Sequence, residues 1–338
     1  MGPNMKLKFD DIHTQKKQQK LREMMNAVTE VIKDIENDNP KLCECPICES
    51  GIEENYTEKF GFNLSKCRHC QLIFCNPYPT DKQLFLYYTS EMKAFENEFF
   101  RESFEQRVNI FLPRVELIQR FARGGKLLDV GSAIGIFIEA LKRSGAPFDI
   151  ACCDLNPEAC SDLSQRYPEI EVFNGDFLQM PETSRFGVIT LWDTIEHIVD
   201  LSALLKKVYG LLEDDGVFIF STPNTRSFEW LIAGKEHVQL LPPGHVNLLN
   251  EASIGILLGK HSFQVSETFT LNASLDISYV KKLIEKDEVD MQRLGLFLKE
   301  EIYDSDFENM LESYLVKHKK AGNIVVVAEK NKKAIGVK

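Results

Sequence analysis

Small residues follow a single acid, Asp129, in one short stretch, Lys126–Gly135, which reads KLLDVGSAIG. Two leucines lead into Asp129, glycines follow at Gly131 and Gly135, and an aliphatic run then resumes at helical spacing. This pattern predicts a buried strand, a tight turn and the start of a helix. Because glycine lets the backbone approach a bound molecule closely, the stretch is predicted to be a ligand-binding turn.

Two further acidic residues stand where the next predicted strands end, and they indicate the kind of ligand. The dinucleotide fingerprint G-x-G-x-x-G fails, because Ala133 and Ile136 occupy two of its glycine positions. Asp154 ends the second strand, where a carboxylate can accept hydrogen bonds from both ribose hydroxyls. Asp176 is followed by Phe177, a pair that suits adenine, since the carboxylate can accept from the exocyclic amine and the ring offers an apolar surface.

Four of the nine cysteines form two CxxC pairs, Cys45-Pro-Ile-Cys48 and Cys67-Arg-His-Cys70, with eighteen residues between them. Each pair puts two thiolates on one tight turn, and two such turns complete a tetrahedral zinc site. Four thiolates close the coordination sphere, so the predicted zinc is structural and has no open position for water or substrate. The alternative is a set of unligated cysteines buried in a core.

Histidines near the ends of the fourth and fifth predicted strands are candidates for a general base. His197 follows the fourth strand, and His245 lies in a Pro-Gly-His turn before a helix that begins near residue 250. An imidazole titrates near neutral pH and can take a proton from a hydroxyl or an activated carbon. A purely structural role at a helix start or a turn is the alternative for each. Polar groups of a substrate could be bound by Glu196, Asn224 and His237, although a turn cap is equally open for Asn224.

These residues would be positioned by a regular alternation of strands and helices that begins at residue 126. Such alternation predicts an α/β fold, a Rossmann-like, mostly parallel sheet of seven strands with helices on both faces. Ligands bind beyond the carboxyl ends of the strands in such a sheet, where the acids and glycines fall. The predicted strands are Lys126–Val130, Asp149–Asp154, Glu171–Phe173, Val188–Trp192, Gly216–Ser221, Gln264–Leu271 and Asn323–Glu329.

The rest of the chain divides by composition into further segments. We predict an N-terminal helical segment over residues 1–40, with an apolar stripe at helical spacing that packs on the body of the protein or on a second subunit. The zinc ribbon would span 41–80, with a short hairpin between its cysteine pairs. An aromatic-rich helical connector or lid would span 81–122, and the core 123–330 would carry a helical insertion at about 275–320.

The motifs taken together resemble those of the class I S-adenosylmethionine-dependent methyltransferases. LLDVGSAIG matches the first motif of that family, DLNPEA the second and NGDF the third, while LWDTIEHIVD and LLEDDGVFIFSTPN match the fourth and fifth. The resemblance covers roughly residues 110–272 and the terminal strand. The chain departs from it at Ala133, where the family has its middle glycine. The cysteine module and the Pro-Gly-His turn are similar to the zinc-carrying sugar C-methyltransferases.

The resemblance implies a role for each strand end. Gly131 and Gly135 would border the methionine moiety, and Asp129 would orient the loop or reach the methionine amine through water. Trp192 and Asp193 would lie beside the sulfonium. The cofactor-binding residues implied in this way are Asp129, Gly131, Ala133, Gly135, Asp154, Leu155, Asp176, Phe177, Trp192 and Asp193.

Composition and charge limit the partners of the chain. No apolar run of about eighteen residues occurs, and the N-terminal stretch lacks an apolar signal core, so we expect a cytoplasmic protein without a membrane partner. The net charge of −11 disfavours binding to a phosphate backbone, because the lysine clusters look like solvated helix faces. The apolar N-terminal stripe leaves a homodimer open.

The function expected from the sequence is methyl transfer from S-adenosylmethionine to a hydroxyl or carbon of a small metabolite, such as a sugar, a glycan precursor or a natural product, assisted by a histidine. Methylation of a base amine is disfavoured, because Asp193-Thr194-Ile195-Glu196 stands where such enzymes carry an Asn/Asp-Pro-Pro-aromatic loop. Two alternatives stay open. One is an RNA or protein methyltransferase that uses the ribbon to hold a macromolecule, and the other is a non-catalytic binding protein that keeps the fold.

Overall fold

The computed structural model describes residues 15–271, 277–285, 295, 298 and 300–332. The chain forms two compact units. The first falls within Met1–Lys93, Pro223–Ser253 and Phe269–Val325, and the second within Ala94–Thr222, Ile254–Thr268 and Val326–Lys338. Residues 1–14 of the predicted N-terminal helical segment and part of the predicted insertion at 275–320 lie outside the described residues.

Strands and helices alternate through the chain, with strands grouped in two sheets. The strands are β1 Ile52–Lys59, β2 Phe62–Cys67, β3 Ile73–Cys75, β4 Gly125–Val130, β5 Phe148–Asp154, β6 Glu171–Asn174, β7 Phe186–Trp192, β8 Leu212–Pro223, β9 Asn247–Leu248, β10 Phe263–Leu271 and β11 Asn323–Lys330. The helices are α1 Gln15–Lys33, α2 Asp81–Tyr88, α3 Glu91–Glu102, α4 Phe104–Phe121, α5 Ile136–Ser144, α6 Pro157–Arg166, α7 Leu201–Leu211, α8 Phe228–Ala233, α9 Glu251–Lys260, α10 Ile277–Glu285 and α11 Ser305–Lys317.

The larger sheet has seven strands in the order β10-β11-β8-β7-β4-β5-β6, which confirms the predicted fold class. Strand β4 pairs in parallel with β5 and β7, and the pairs β5–β6 and β7–β8 are also parallel. The central strands are buried on both faces: the last four residues of β4 and six of the seven in β7 are buried. Near-continuous apolar runs of this kind are typical of a parallel sheet that is covered by helices.

Local sequence signals fix where the flanking helices begin. Asn156 caps α6 by accepting from the amides of Glu158 and Ala159, and Pro157 takes the first helical position, where a missing N–H costs nothing. Asp200 caps α7 in the same way, through the amide of Ala203. Asn156 stands two residues after the end of β5, and Asp200 closes the longer loop that follows β7, so each cap fixes one end of a loop that carries acidic residues.

The smaller sheet belongs to the first unit and is antiparallel, in the order β1-β2-β3-β9. A two-residue turn joins β1 to β2, and both of its residues, Phe60 and Gly61, have positive φ, as a type I′ hairpin turn requires. The hairpin predicted between the two cysteine pairs is therefore present. Strand β9, far along the chain, completes this sheet by pairing with β3.

The N-terminal apolar stripe packs within the same unit. Met25 and Ile32 on α1 form a buried cluster with Phe62, Tyr87 and Met92. Helices α2, α3 and α4 occupy the segment that was predicted to be helical and aromatic-rich. Within the described part of the chain, no helix combines the length and the apolar character that a membrane crossing would require.

Candidate functional site

The turn between β4 and α5 brings backbone to the carboxyl edge of the large sheet at two glycines that cannot be replaced freely. Gly131 has a φ of +77°, and a Cβ placed there would lie 2.6 Å from Oγ1 of Thr194. Gly135 has a φ of +81°, and a Cβ there would lie 2.3 Å from Cδ2 of Leu163 on α6. A side chain at position 131 would therefore clash with the loop after β7, and one at position 135 would clash with α6.

Asp154, at the end of β5, is bonded directly to this turn. Its Oδ2 accepts a 2.7 Å hydrogen bond from the amide of Ala133, and its Oδ1 accepts one of 2.8 Å from the amide of Asn156. Ala133 has a φ of +46°, so the middle position of the turn is also left-handed. Burial raises the pKa of Asp154, and the two backbone donors oppose that rise. Each carboxylate oxygen keeps a second lone pair, so Asp154 can still accept from hydroxyls of a ligand.

Asp129, at the end of β4, is held inside the sheet. Its carboxylate is 2% exposed, and its Oδ1 accepts a 2.7 Å hydrogen bond from Oγ1 of Thr190 on β7. Burial raises the pKa of Asp129 to about 8, against the lowering effect of Thr190. The side chain therefore holds its proton more strongly than an exposed aspartate does, and its hydrogen-bond partner, Thr190, belongs to a neighbouring strand.

The residues predicted to meet adenine lie on the next loops along the same edge. Asp176 is exposed and uses its Oδ1 to accept from the amide of Leu178, while Phe177 is 7% exposed. Leu155, directly after Asp154, is 70% exposed. This exposed side chain beside the half-buried carboxylate of Asp154 leaves an apolar surface available to a planar ligand.

Trp192, at the end of β7, is buried among aromatic rings and a guanidinium group. Its ring meets Phe111 and Phe137 edge-on at centroid distances of 6.0 Å and 5.3 Å, and its Nε1 has no hydrogen-bond partner among the described residues. Arg114 of α4 stacks on Phe111 at 3.9 Å and lies 5.2 Å from the ring of Trp192. The aromatic cluster thus carries a buried positive charge beside the loop after β7.

Arg114 is the most informative residue that the sequence interpretation missed. It is 3% exposed, its Nη2 lies 3.9 Å from Oδ2 of Asp193, and its Nε has no hydrogen-bond partner among the described residues. Burial lowers its pKa, and Asp193 opposes that effect. Arg107, two turns earlier on the same face of α4, is also largely covered, and burial lowers its pKa to about 10. A buried guanidinium with an unused donor is suited to hold a carboxylate.

The loop after β7 also holds Asp193, Glu196 and His197. Asp193 has a φ of +49°, and its Oδ1 accepts a 2.8 Å hydrogen bond from Oγ of Ser221 on β8. Glu196 is 1% exposed, and burial together with the charge of Asp193 raises its pKa well above the usual range. His197 is half-buried in a short 3-10 turn, Ile195–His197. Of these three, His197 combines a titratable nitrogen with partial access to solvent.

The four paired cysteines converge in the first unit. The Sγ atoms of Cys45 and Cys70 are 3.6 Å apart, those of Cys48 and Cys67 are 3.3 Å apart, and all four lie within 4.8 Å of one another. Four sulfurs held about 2.3 Å from a tetrahedral zinc are separated by about 3.8 Å, so the cluster has the size that this metal needs.

Hydrogen bonds to sulfur add to this fit. The Sγ of Cys45 accepts from the amide of Ile47, and the Sγ of Cys67 accepts from the amides of His69 and Cys70. The contact between the sulfurs of Cys45 and Cys70 lowers the pKa of Cys45 and raises that of Cys70. The amide donors favour a thiolate, which is the form that binds metal.

The remaining predicted residues, His245, His237 and Asn224, also belong to the first unit. His245 is 8% exposed, and its Nδ1 lies 2.8 Å from the carbonyl oxygen of Gln239. His237 is 2% exposed and stacked on Trp230, and burial lowers its pKa to about 3. Asn224 is 3% exposed and accepts from the amide of Arg226 through its Oδ1.

The predicted residues fall in both units of the chain. Those at 129–135, 154–155, 176–177 and 192–197 lie in the second unit, at the carboxyl ends of strands of the large sheet or in the loops that follow them. The cysteines, His237, His245 and Asn224 lie in the first unit. The missed Arg114 had one signal in the sequence, a lone arginine between apolar residues of a predicted helix.

Comparison with known proteins agrees with this arrangement. Residues 102–268 match a family described as "Methyltransferase domain". The ubiquinone biosynthesis O-methyltransferase of Actinobacillus pleuropneumoniae serotype 5b (strain L20) is 30% identical over 203 residues, covering 50% of this chain and 85% of that protein. The protein of the same name from Acinetobacter baylyi is 26% identical over 190 residues, covering 49% of this chain and 79% of that protein.

Among solved structures, an S-adenosylmethionine-dependent methyltransferase from Clostridium acetobutylicum aligns with a TM-score of 0.40 at 12% identity, covering 67% of this chain and 91% of that one. The chain belongs to the class I S-adenosylmethionine-dependent methyltransferases. Within that class, the relatives from Actinobacillus pleuropneumoniae and Acinetobacter baylyi are both named as ubiquinone biosynthesis O-methyltransferases.

Proposed function

We propose that this methyltransferase transfers a methyl group to a hydroxyl oxygen of a small molecule. The observation that carries the proposal is the hydrogen bond from the amide of Ala133, in the β4–α5 turn, to the carboxylate of Asp154. It joins the two elements that a nucleoside-bearing methyl donor would contact. The choice of oxygen is supported by the name of the relatives, ubiquinone biosynthesis O-methyltransferase. It replaces the wider expectation of a hydroxyl or a carbon.

The cofactor roles follow the order of the loops along the sheet edge. In this proposal Gly131, Ala133 and Gly135 border the methionine moiety, and Asp154 accepts from the ribose hydroxyls. Leu155, Asp176 and Phe177 hold the adenine, and Trp192 and Asp193 lie beside the sulfonium. Asp129, bonded to Thr190, orients the turn from inside the sheet. Each role rests on what the side chain offers: close backbone, a carboxylate with spare lone pairs, or an apolar surface.

Arg114 gives the methionine moiety a partner that the sequence interpretation lacked. The unused Nε of Arg114 is a buried donor, and a carboxylate is the group whose geometry matches a guanidinium. We propose that Arg114 binds the carboxylate of the methionine moiety. Asp193, which lies 3.9 Å from Arg114, would then balance positive charge on both sides, from the guanidinium and from the donor.

Methyl transfer is a displacement at carbon, in which the acceptor oxygen attacks the methyl group from the side opposite to sulfur. When bound, S-adenosylmethionine supplies a methyl group activated by a positively charged sulfur. The protein aligns the acceptor with that group and removes the hydroxyl proton, which makes the oxygen a stronger nucleophile. Since the donor loses its positive charge in the reaction, a buried and aromatic surrounding such as that of Trp192 favours the transition state.

His245 and His197 are the two candidate bases in this proposal. The contact between Nδ1 of His245 and the carbonyl oxygen of Gln239 requires the proton to be on Nδ1, because a carbonyl only accepts. The Nε2 nitrogen of His245 therefore carries the lone pair and is the atom that can take a proton. His197 is the alternative base. Glu196, Asn224 and His237 are proposed to bind polar groups of the substrate.

The cysteine cluster is proposed to hold one zinc ion through Cys45, Cys48, Cys67 and Cys70. When bound, zinc crosslinks the two turns on which these residues lie and stabilises the small sheet. Four sulfur ligands leave no position for a substrate, so the metal takes no part in the transfer itself.

Turnover with a panel of acceptors tests the proposal. The purified protein, S-adenosylmethionine and small phenols, catechols or sugars are incubated together, and S-adenosylhomocysteine is measured. We expect product with a hydroxyl-bearing acceptor and none when that hydroxyl is already methylated. Methylation of RNA or protein but of no small molecule would contradict the proposal, as would binding of S-adenosylhomocysteine without any turnover.

A further inference from the structure

The cysteine module, residues 41–80, supplies strands β1, β2 and β3 of the small sheet, and β9, which follows His245, completes that sheet. Strand β3 begins three residues after Cys70, and it pairs antiparallel with β9, which begins two residues after His245. The amide of Cys75 donates a 3.0 Å hydrogen bond to the carbonyl oxygen of Val246, so the pairing reaches the residue next to the histidine. A segment near residue 70 and a segment near residue 245 are thus held in one hydrogen-bonded ladder.

Two buried side chains reinforce this connection. The hydroxyl of Tyr78 donates a 2.7 Å hydrogen bond to Oδ1 of Asn247, which is fully buried. Asn250, also fully buried, donates from Nδ2 to the carbonyl oxygen of Cys70 at 3.1 Å. Cys70 is one of the four converging cysteines, so this bond joins the cluster directly to the start of α9. Buried polar contacts of this kind specify one arrangement of the chain, because breaking them leaves unsatisfied groups.

The imidazole of His245 is fixed from the other side of the same turn. Its amide donates to the carbonyl oxygen of Leu241 at 2.9 Å, and its Nδ1 donates to that of Gln239 at 2.8 Å. Gly244 has no room for a side chain, because a Cβ there would lie 2.6 Å from the hydroxyl oxygen of Tyr87. The turn is therefore determined by contacts on both sides, and those on one side come from the cysteine module.

We propose that the cysteine module, through the hydrogen bonds of Tyr78 and Asn250, positions the imidazole of His245. The ring is thereby kept in the tautomer that has its proton on Nδ1 and its lone pair on Nε2. Tyr78 and Asn250 are positioning residues in this proposal, since neither touches a reacting group. The proposal deepens the function proposed above and rests on His245 being the base. It gives the structural zinc a consequence for the reaction: loss of the metal would loosen the turn of His245 and slow the transfer without weakening donor binding.

The first test is Tyr78→Phe, with Tyr56→Phe as the matched control. Each removes one tyrosine hydroxyl from the cysteine module, but Tyr78 follows β3, which pairs with β9, whereas Tyr56 lies on β1, at the edge of the sheet opposite to β9. We expect Tyr78→Phe to lower kcat about fivefold, the factor that one hydrogen bond is typically worth, with the KM for S-adenosylmethionine unchanged. Tyr56→Phe should leave both constants unchanged. Equal effects of the two variants on kcat would overturn the proposal.

The second test follows the histidine itself, so it does not depend on turnover. Nitrogen NMR of the zinc-loaded protein, with the His245 signals assigned from His245→Gln, should show the proton on Nδ1. In Tyr78→Phe, and in the wild type after zinc is removed by a chelator, we expect a mixture of tautomers and faster hydrogen exchange in residues 245–250. Unchanged signals and exchange in both samples would refute the positioning role.

The two proposals fail in different ways. If His245→Ala kept full turnover, the base assignment would be wrong, whatever the NMR result. If His245→Ala lost turnover while the imidazole signals and the exchange ignored both Tyr78→Phe and zinc removal, the base assignment would stand and the positioning proposal would be wrong. Asn250→Ala, measured by the same exchange experiment, serves as a second variant at the other end of the turn.

Discussion

The amide of Ala133 donates a 2.7 Å hydrogen bond to Oδ2 of Asp154. This bond joins the turn after the first strand of the large sheet to the end of the neighbouring strand. The turn has to be left-handed at three positions, Gly131, Ala133 and Gly135, to direct its amide there. The carboxylate consequently has one role in shaping the turn and, in the proposed function, a second role in binding the ribose.

Replacing Gly131 by alanine is expected to abolish this shape. The new Cβ would lie 2.6 Å from Oγ1 of Thr194 in a left-handed backbone, and alanine in that conformation costs about 1 kcal/mol even without a clash. Calorimetric titration with S-adenosylhomocysteine should show affinity lowered by tenfold or more. Gly145→Ala is the control, because Gly145 has a φ of +66° but nothing within 4 Å of the added Cβ. If Gly131→Ala and Gly145→Ala lost affinity equally, the loss would be due to backbone strain and not to the clash with Thr194.

Asp154→Asn is expected to weaken donor binding about tenfold or more. The amide side chain loses the charge and one acceptor oxygen, and a hydrogen bond to a charged group is worth about 1.5–3 kcal/mol. Asp149→Asn is the control, since Asp149 is an exposed carboxylate on the same strand. Both variants should keep the melting temperature of the wild type within a few degrees. An unchanged affinity of Asp154→Asn for S-adenosylhomocysteine would remove Asp154 from the site.

Arg114→Lys is expected to raise the KM for S-adenosylmethionine. Lysine keeps the positive charge but lacks the planar fork that can bind a carboxylate through two parallel bonds, so a loss of about tenfold follows from the geometry. Arg120→Lys on the same helix is the control, because Arg120 is 56% exposed and pairs with Glu267. If the KM for the donor stayed constant in Arg114→Lys while the KM for the acceptor rose, the guanidinium would be bound to the acceptor instead.

The buried Asp129 predicts a dependence of stability on pH. Burial raises its pKa from 3.8 to about 8, so between these values the folded state holds a proton that the unfolded state has released. The stability of the wild type should therefore fall as the pH rises through this window, by up to about 1.4 kcal/mol per pH unit from this one group. Asp129→Asn keeps an acceptor for Thr190 and has no proton to lose.

Urea unfolding of the wild type and of Asp129→Asn at pH 5, 6 and 7 measures that difference. The free energy of unfolding of the wild type should fall more steeply with pH than that of the variant. Parallel lines for the two proteins would mean that Asp129 is ionised in the folded state throughout the window.

The metal proposal predicts one zinc ion per chain by elemental analysis. Cys48→Ser should lose the metal and unfold at a lower temperature, because three thiolates cannot close the site as four do. Cys43→Ser is the control, since Cys43 is exposed and stands outside the converging cluster. A protein that is purified from zinc-containing medium without bound metal, and that is not stabilised by added zinc, would contradict the prediction.

The sequence allowed the large sheet and most of its loops to be predicted, for a physical reason. Buried parallel strands are continuous apolar runs, and ligands bind beyond their carboxyl ends. A glycine or an aspartate at the end of such a run therefore indicates a binding loop, so Gly131 and Asp154 could be recognised without coordinates. The two CxxC pairs could be recognised equally well, because the CxxC spacing places two thiolates on one tight turn.

The missed features depend on contacts between residues far apart in the chain. Arg114 is unremarkable in a helical pattern, and only its burial and its unused donor distinguish it. The pairing of β3 with β9 joins residues 73–74 to 247–248, a separation that no local pattern encodes. Asp129 was predicted to orient the loop or to reach the methionine amine through water, and its buried hydrogen bond with Thr190 of a neighbouring strand was not foreseen.

The claim on which the other proposals depend is that the turn at 131–135 and Asp154 bind the methyl donor. Calorimetric titration of the full-length wild type with S-adenosylhomocysteine tests it most directly, with Asp154→Asn measured in parallel. We expect one site per chain in the wild type and affinity reduced at least tenfold in the variant. Saturable binding that is identical in the two proteins, or no binding to the wild type, would contradict it.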